Sequence, residues 1–178
     1  MKNSIKIIIA LLFITTLSSC KKDLGEFTFG TTLHKVFPIE VSQTDGVAVS
    51  FDTNNAVVSM DNTDTHEYLE NIKDVKVKSI SFFFENFTGD TTGVVNATYF
   101  VDEVPFYTLT NINVANEVGA SYSHKITDTT LLNQVATALK NHQEITAKYV
   151  GDVQCDEDMM RFDINATFEL DITADVLK

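Results

Sequence analysis

Tryptophan is absent from this 178-residue chain, cysteine and proline occur twice each, and basic residues number 13 against 25 acidic ones. Each shortage closes a possibility. Two cysteines, Cys20 and Cys155, are too few for a small scaffold stapled by disulfides, so stability has to come from packing. Two prolines, Pro38 and Pro105, rule out a proline-rich linker; both lie in or beside strand-like runs, where they mark edges or bends. There is no internal repeat and no low-complexity tract. The formal charge of −12 argues against nucleic acid and against an anionic membrane surface as partners. HExxH, GxSxG, CxxC and a phosphate-cradling glycine loop are all missing, so no catalytic residue, cofactor site or metal site is read. The expectation is a protein that is not an enzyme.

What is present begins with a processing signal. Lys2 and Lys6 precede an apolar run from Ile7 to Leu17, broken only by Thr15 and Thr16. That run is about half the ~20 residues a membrane-spanning helix needs. It ends in Leu17-Ser18-Ser19-Cys20, which resembles the bacterial lipobox: an aliphatic residue, two small ones, then cysteine. The resemblance implies a lipoprotein precursor with a signal peptide over 1–19. Its Cys20 thiol takes a diacylglycerol, and the new amino terminus is acylated, for instance with palmitate. Acyl chains contribute ~0.8 kcal/mol per buried CH₂, so several make attachment effectively permanent. No aspartate follows the cysteine, where the enterobacterial inner-membrane retention signal would stand, which favours the outer membrane. Lys21-Lys22-Asp23 is similar to the surface-export stretches of Bacteroidota lipoproteins, though less acidic than they are. The domain is therefore expected at the outer membrane, facing the periplasm or the cell surface.

Removing Lys2 and Lys6 leaves 11 basic residues and a formal charge of −14. With Cys20 lipidated, only Cys155 remains and no intramolecular disulfide can form. A short tether over 20–26 leads into a single domain over 27–178, long enough for a real core.

Within that domain, alternation with period 2 dominates. Phe27, Phe29, Leu33, Phe37, Ile39 and Val41 share one phase, as do Val95, Ala97, Tyr99 and Val101. Val75 and Val77 fall on odd positions but Ile80, Phe82 and Phe84 on even ones, which predicts a bulge near Lys78-Ser79. Phe162 to Val176 alternates without a break, too long for an ordinary strand, so it is expected to bend or to serve two sheets in succession. Ile145 to Cys155 alternates as well and is expected to pair with it as a hairpin through Asp156 to Met160. Leu131, Leu132, Val135, Ala136 and Leu139 form a helical stripe over 129–141, with Thr127 or Asp128 as N-cap; His66 to Ile72 is a weaker helical turn. The fold class is mainly β: an antiparallel β-sandwich, immunoglobulin-like or jelly-roll-like, with one or two short helices. A lipocalin-like barrel is the alternative.

Candidate sites are few. Asp152, Asp156, Glu157, Asp158 and Asp163 form the densest carboxylate cluster, yet the order and glycine of a calcium loop are missing, so it reads as a solvated tip. Cys155 falls on an apolar phase, beside acids that disfavour a thiolate, and reads as buried and inert. His34, His66, His124 and His142 are scattered. Phe82-Phe83-Phe84 and Phe87 place rings on both faces of one strand, either a strand covered on both sides or a groove for a partner or lipid. Tyr99, Tyr107, Tyr122 and Tyr149 are candidates for a sugar platform, but Tyr99 and Tyr149 fall on inward phases. Asp90-Thr91-Thr92 and Asp128-Thr129-Thr130 look like the short O-glycosylation sites of Bacteroidota. The functional expectation is a non-enzymatic envelope lipoprotein binding a protein or glycan. One alternative is an apolar-ligand carrier with a pocket of Phe82, Phe84, Phe162, Phe168 and Leu139. A less favoured one is a hydrolase using Asp156 and Glu157.

Overall fold

The computed structural model describes residues 25–119 and 124–176. The signal segment, Cys20 and Tyr122 lie outside them. Nine strands follow in chain order: β1 (Glu26–Val41), β2 (Val49–Asp52), β3 (Ala56–Ser59), β4 (Ile72–Gly89), β5 (Val94–Val101), β6 (Val104–Asn113), β7 (His124–Ile126), β8 (Glu144–Gln154) and β9 (Met160–Asp175). A 3₁₀ helix (His66–Asn71) precedes β4, α1 (Val114–Glu117) precedes β7, and α2 (Thr129–His142) precedes β8.

The strands form two sheets, and every pairing within them is antiparallel. Sheet A has the order β1-β9-β4-β7; sheet B has β2-β8-β5-β6, with β3 also on β8. The two orders match place by place. Strands consecutive in sequence (β1 and β2, β9 and β8, β4 and β5, β7 and β6) hold the same position in opposite sheets. That interlocked pattern is a jelly roll, an open sandwich and not a closed barrel.

Two expectations give way here. β8 and β9 do not pair as a hairpin: they lie in different sheets, and the Asp156-Glu157-Asp158 tip crosses between them. Alternation fixes which face of a strand is buried but says nothing about its neighbour, and here both sides of β9 are already taken by β1 and β4. Nor does β9 serve two sheets. Its whole length stays in sheet A, where β1 matches it residue for residue from Glu26↔Asp175 to Val41↔Met160.

Sequence dictates most of the remainder. The β4 register shifts between Val77 and Ser79, as the phase slip predicts, so Val77 and Ile80 both face inward. Asp128 caps α2 by accepting from the N–H groups of Thr130 and Leu131, and Gln143 ends it in the left-handed region. The buried stripe of α2 is Leu132, Val135, Ala136 and Leu139. It packs against β4 and β8. Between the sheets the core is filled by Phe37, Phe82, Phe84, Phe162, Phe168, Tyr99 and Tyr149 among others. Among the described residues β1 pairs with β9 alone, which makes it a 16-residue edge strand. Lys35 on its inward phase and Pro38 are the devices that discourage such an edge from recruiting another chain.

Candidate binding face

The outward faces of β1, β9 and β4 form a continuous grid, because their registers align. Val36, Asn165 and Phe83 make one row across the three strands; Pro38, Asp163 and Glu85 make the row beside it. His34, Thr167 and Ser81 make the row on the other side. Strands stand ~4.8 Å apart and alternate rows ~7 Å apart, so the block is about 10 by 14 Å. Phe83 is half-buried while its neighbours Phe82 and Phe84 are fully buried. At the opposite end of the row, Val36 is 48% exposed.

The polar groups of this block are held in place. His34 Nδ1 lies 3.1 Å from the Thr167 hydroxyl. Asn165 donates its amide to Glu85, and Asn86 donates to Asp163 at 2.6 Å. Among them is a shallow depression of about 460 Å³ bordered by His34, Phe83, Glu85, Asn165 and Thr167. An apolar ring beside fixed amide, imidazole, hydroxyl and carboxylate groups suits a partner that offers both apolar surface and hydrogen bonds.

The other sequence-derived sites are dispersed. Asp156 accepts from the Gly46 N–H, Asp158 from the Met159 N–H, Asp152 from Asn96 and Asp163 from Asn86. No group of three potential metal ligands occurs among the described residues. His66 is exposed and hydrogen-bonded to Asp61, which raises its pKa. His124 lies 3.4 Å from Glu117, far from His34 in chain and role. Cys155 is buried, donates to the Ser42 carbonyl, and is pushed up in pKa by burial and by Asp90. Phe82, Phe84, Phe162, Phe168 and Leu139 are buried in the core, and Phe84 also borders the outer depression. No helix among the described residues is long and apolar enough to cross a membrane.

Sequence reasoning placed Asp90 only in a candidate O-glycosylation tripeptide and missed its role as a buried acceptor. In the β4–β5 turn this carboxylate is only 3% exposed and accepts four hydrogen bonds. The Thr92 hydroxyl (2.6 Å) and N–H (2.7 Å) bind one oxygen; the N–H groups of Asp156 (2.6 Å) and Glu157 (3.0 Å) bind the other. Those four donors, the Thr92 hydroxyl foremost, hold its pKa down at about 2. Gly89 beside it adopts a φ of +107°, and a Cβ there would collide with the Met159 carbonyl, so the two inter-sheet crossings clasp each other through a position only glycine fits. The available signal was the Asp-x-Thr spacing of a side-chain turn, which Asp128 and Thr130 repeat at the start of α2. The middle threonines, Thr91 and Thr129, are both exposed.

No family model and no curated protein matches this chain. Solved structures similar to it include a decameric BFDV capsid protein, at TM-score 0.45 and 10% identity over 82% of this chain and 99% of that one. The cyanophage Pam1 capsid follows at TM-score 0.36 and 10% identity, over 80% and 85% of the respective chains. The infectious bursal disease virus VP2 subviral particle matches at TM-score 0.32 and 11% identity, over 85% of this chain and 38% of that one. At these identities the likeness is one of strand arrangement and carries nothing about function.

Proposed function

We propose that this chain is a lipid-anchored envelope protein with a non-enzymatic role, tethered through Cys20 to the outer membrane and binding a protein or glycan partner through the outer face of sheet A. The anchor half of the reading rests on Leu17-Ser18-Ser19-Cys20 and on the absence of aspartate after the cysteine. The binding half rests on one observation: an aromatic ring, Phe83, stands half-exposed in a row with Asn165 and Val36, amid polar side chains already fixed in position. Pre-fixed polar groups lose little entropy when a partner arrives, which favours recognition. Tethering supplies high local concentration at the envelope, so modest affinity suffices.

One experiment addresses both halves. Wild-type, Cys20→Ala and Phe83→Ala chains are expressed in a lipoprotein-processing host, salt-washed, partitioned in detergent, and probed on a glycan array and against envelope extracts. The expectation is that Cys20→Ala leaves the detergent phase, while Phe83→Ala stays anchored and loses a ligand that the wild type retains. Retention of Cys20→Ala with membranes removes the anchor claim. Equal binding by wild type and Phe83→Ala, or no ligand for either, removes the binding face.

A further inference from the structure

Where β1 begins and β9 ends, the inward face of sheet A is closed by rings. Phe27 on β1, Ala174 on β9 and Ile72 on β4 form the last row, and Phe29, Ile172 and Val75 the inward row before it. Ala174, Ile172 and Val75 are buried, whereas Phe27, Phe29 and Ile72 are only half-buried. Tyr68 of the 3₁₀ helix packs on the phenylalanines, its ring centroid 5.1 Å from Phe27 and 5.3 Å from Phe29, and those two rings stack at 5.5 Å. At the same end Val176 is 38% exposed and donates its N–H to the Gly25 carbonyl.

This pole of the sandwich is the one next to Cys20. Phe27 follows that cysteine by seven residues, so even a fully extended chain keeps the ring within about 25 Å of it. The other pole, with the Asp156-Glu157-Asp158 tip, lies about 50 Å away along β1. Aromatic rings, tyrosine above all with its polar end, suit the boundary between headgroups and acyl chains. The charges beside the rings are acidic: Glu26, Glu67 and Glu70 are exposed, while Lys73 is tied to Asp175 at 2.9 Å. Such a rim is repelled by anionic lipid and suits a surface whose outermost charge is an ammonium group.

We propose that Phe27, Phe29 and Tyr68 seat the domain on the membrane that the Cys20 lipid enters, with Glu26, Glu67 and Glu70 meeting the ethanolamine headgroups of a zwitterionic phospholipid. The proposal rests on the lipid-anchor reading and adds an orientation to it. A short tether holds the domain at an effective concentration on the order of 1 mM, so a docking constant of about 1 mM keeps it seated roughly half of the time. Weak contact through three half-buried rings is enough for that. Val36 lies nine residues beyond Phe27, about 30 Å further along β1, so the seated domain presents the candidate binding face above the headgroups.

The chain has no tryptophan, so one introduced indole is the only one to report. Lipidated Phe27→Trp, Tyr68→Trp and, at the far pole, Val47→Trp are reconstituted in phosphatidylethanolamine–phosphatidylcholine vesicles with brominated acyl chains. Flotation reads attachment, and far-UV circular dichroism reads folding. The indole at position 27 or 68 is expected to shift to the blue and to be quenched about twofold, as half-time seating requires, while that at position 47 is unaffected. Phosphatidylglycerol in place of phosphatidylethanolamine is expected to weaken the quenching. If one substitution unfolds the chain, the other reads the same contact. Folded variants that float but are not quenched overturn the seating and leave the anchor intact. A chain that does not float removes the anchor and the seating with it. Equal quenching in phosphatidylglycerol vesicles overturns the pairing with ethanolamine.

Discussion

Asp90 and the Tyr99–Tyr149 pair are buried almost equally and treated oppositely. The carboxylate at the inter-sheet crossing is met by four donors, whereas the two phenols in the middle of the core are met by none from the described chain. The difference follows from what each group loses on leaving water. A desolvated charge is penalised by many kcal/mol and persists only where the backbone is arranged around it. A neutral hydroxyl is penalised by far less. Asp90 therefore organises the loops near it, tying the β4–β5 turn to the tip between β8 and β9. The tyrosines instead accept the geometry the sheets impose.

The contrast breaks most sharply at Asp90 itself. Asp90→Ala strands the N–H groups of Asp156 and Glu157 and frees the β8–β9 tip, and a loss of about 3 kcal/mol in unfolding free energy is expected by denaturant titration. A loss under about 1 kcal/mol would mean that water replaces the carboxylate freely. Asp90→Asn sharpens the comparison through pH. Because the folded carboxyl titrates at about 2, below its ordinary value of 3.8, its contribution is complete above pH ~4 and fades as pH falls toward 2. The amide variant has no such titration and turns an NH₂ toward two main-chain donors. It should be less stable than wild type at pH 7, and the gap should narrow between pH 4 and 2; a gap constant with pH would assign that acid sensitivity to other carboxylates. Thr92→Val is the mildest break. It removes the 2.6 Å hydroxyl donor and leaves three N–H groups, for an expected loss of about 1–2 kcal/mol.

How much of this could be read in advance depends on whether the information is local. Alternation along β1, β5 and β9, the bulge at Lys78-Ser79, and the α2 stripe with its Asp128 cap are all properties of neighbouring residues, and each is visible in the letters. The partner of a strand is not local. Ile145–Cys155 and Phe162 onward look like two arms of a hairpin, and only the competition of β1 and β4 for the sides of β9 shows otherwise. β7 is three residues long and α1 four, too short for any periodicity to register. The candidate face was half legible: Phe83 stands out within its triplet, but its alignment with Asn165 and Val36 depends on registers that no single segment encodes. Asp90 was hidden for the same reason, since two of its four donors lie 66 and 67 residues further along the chain.

The pairing of β1 with β9 also sets a timetable. The first strand of the domain has its partner in the last one, 149 residues away at Glu26↔Asp175 and 119 at Val41↔Met160. During synthesis β1 emerges first and must wait for the final residues before sheet A can close, while β4 waits for the same strand from the other side. Contacts that span nearly the whole chain make for slow, late folding, in the millisecond-to-second range typical of β-sandwiches. In a nascent chain of this topology β1 and β4 stay without the neighbour they share until β9 has been made, so sheet A closes in one late step.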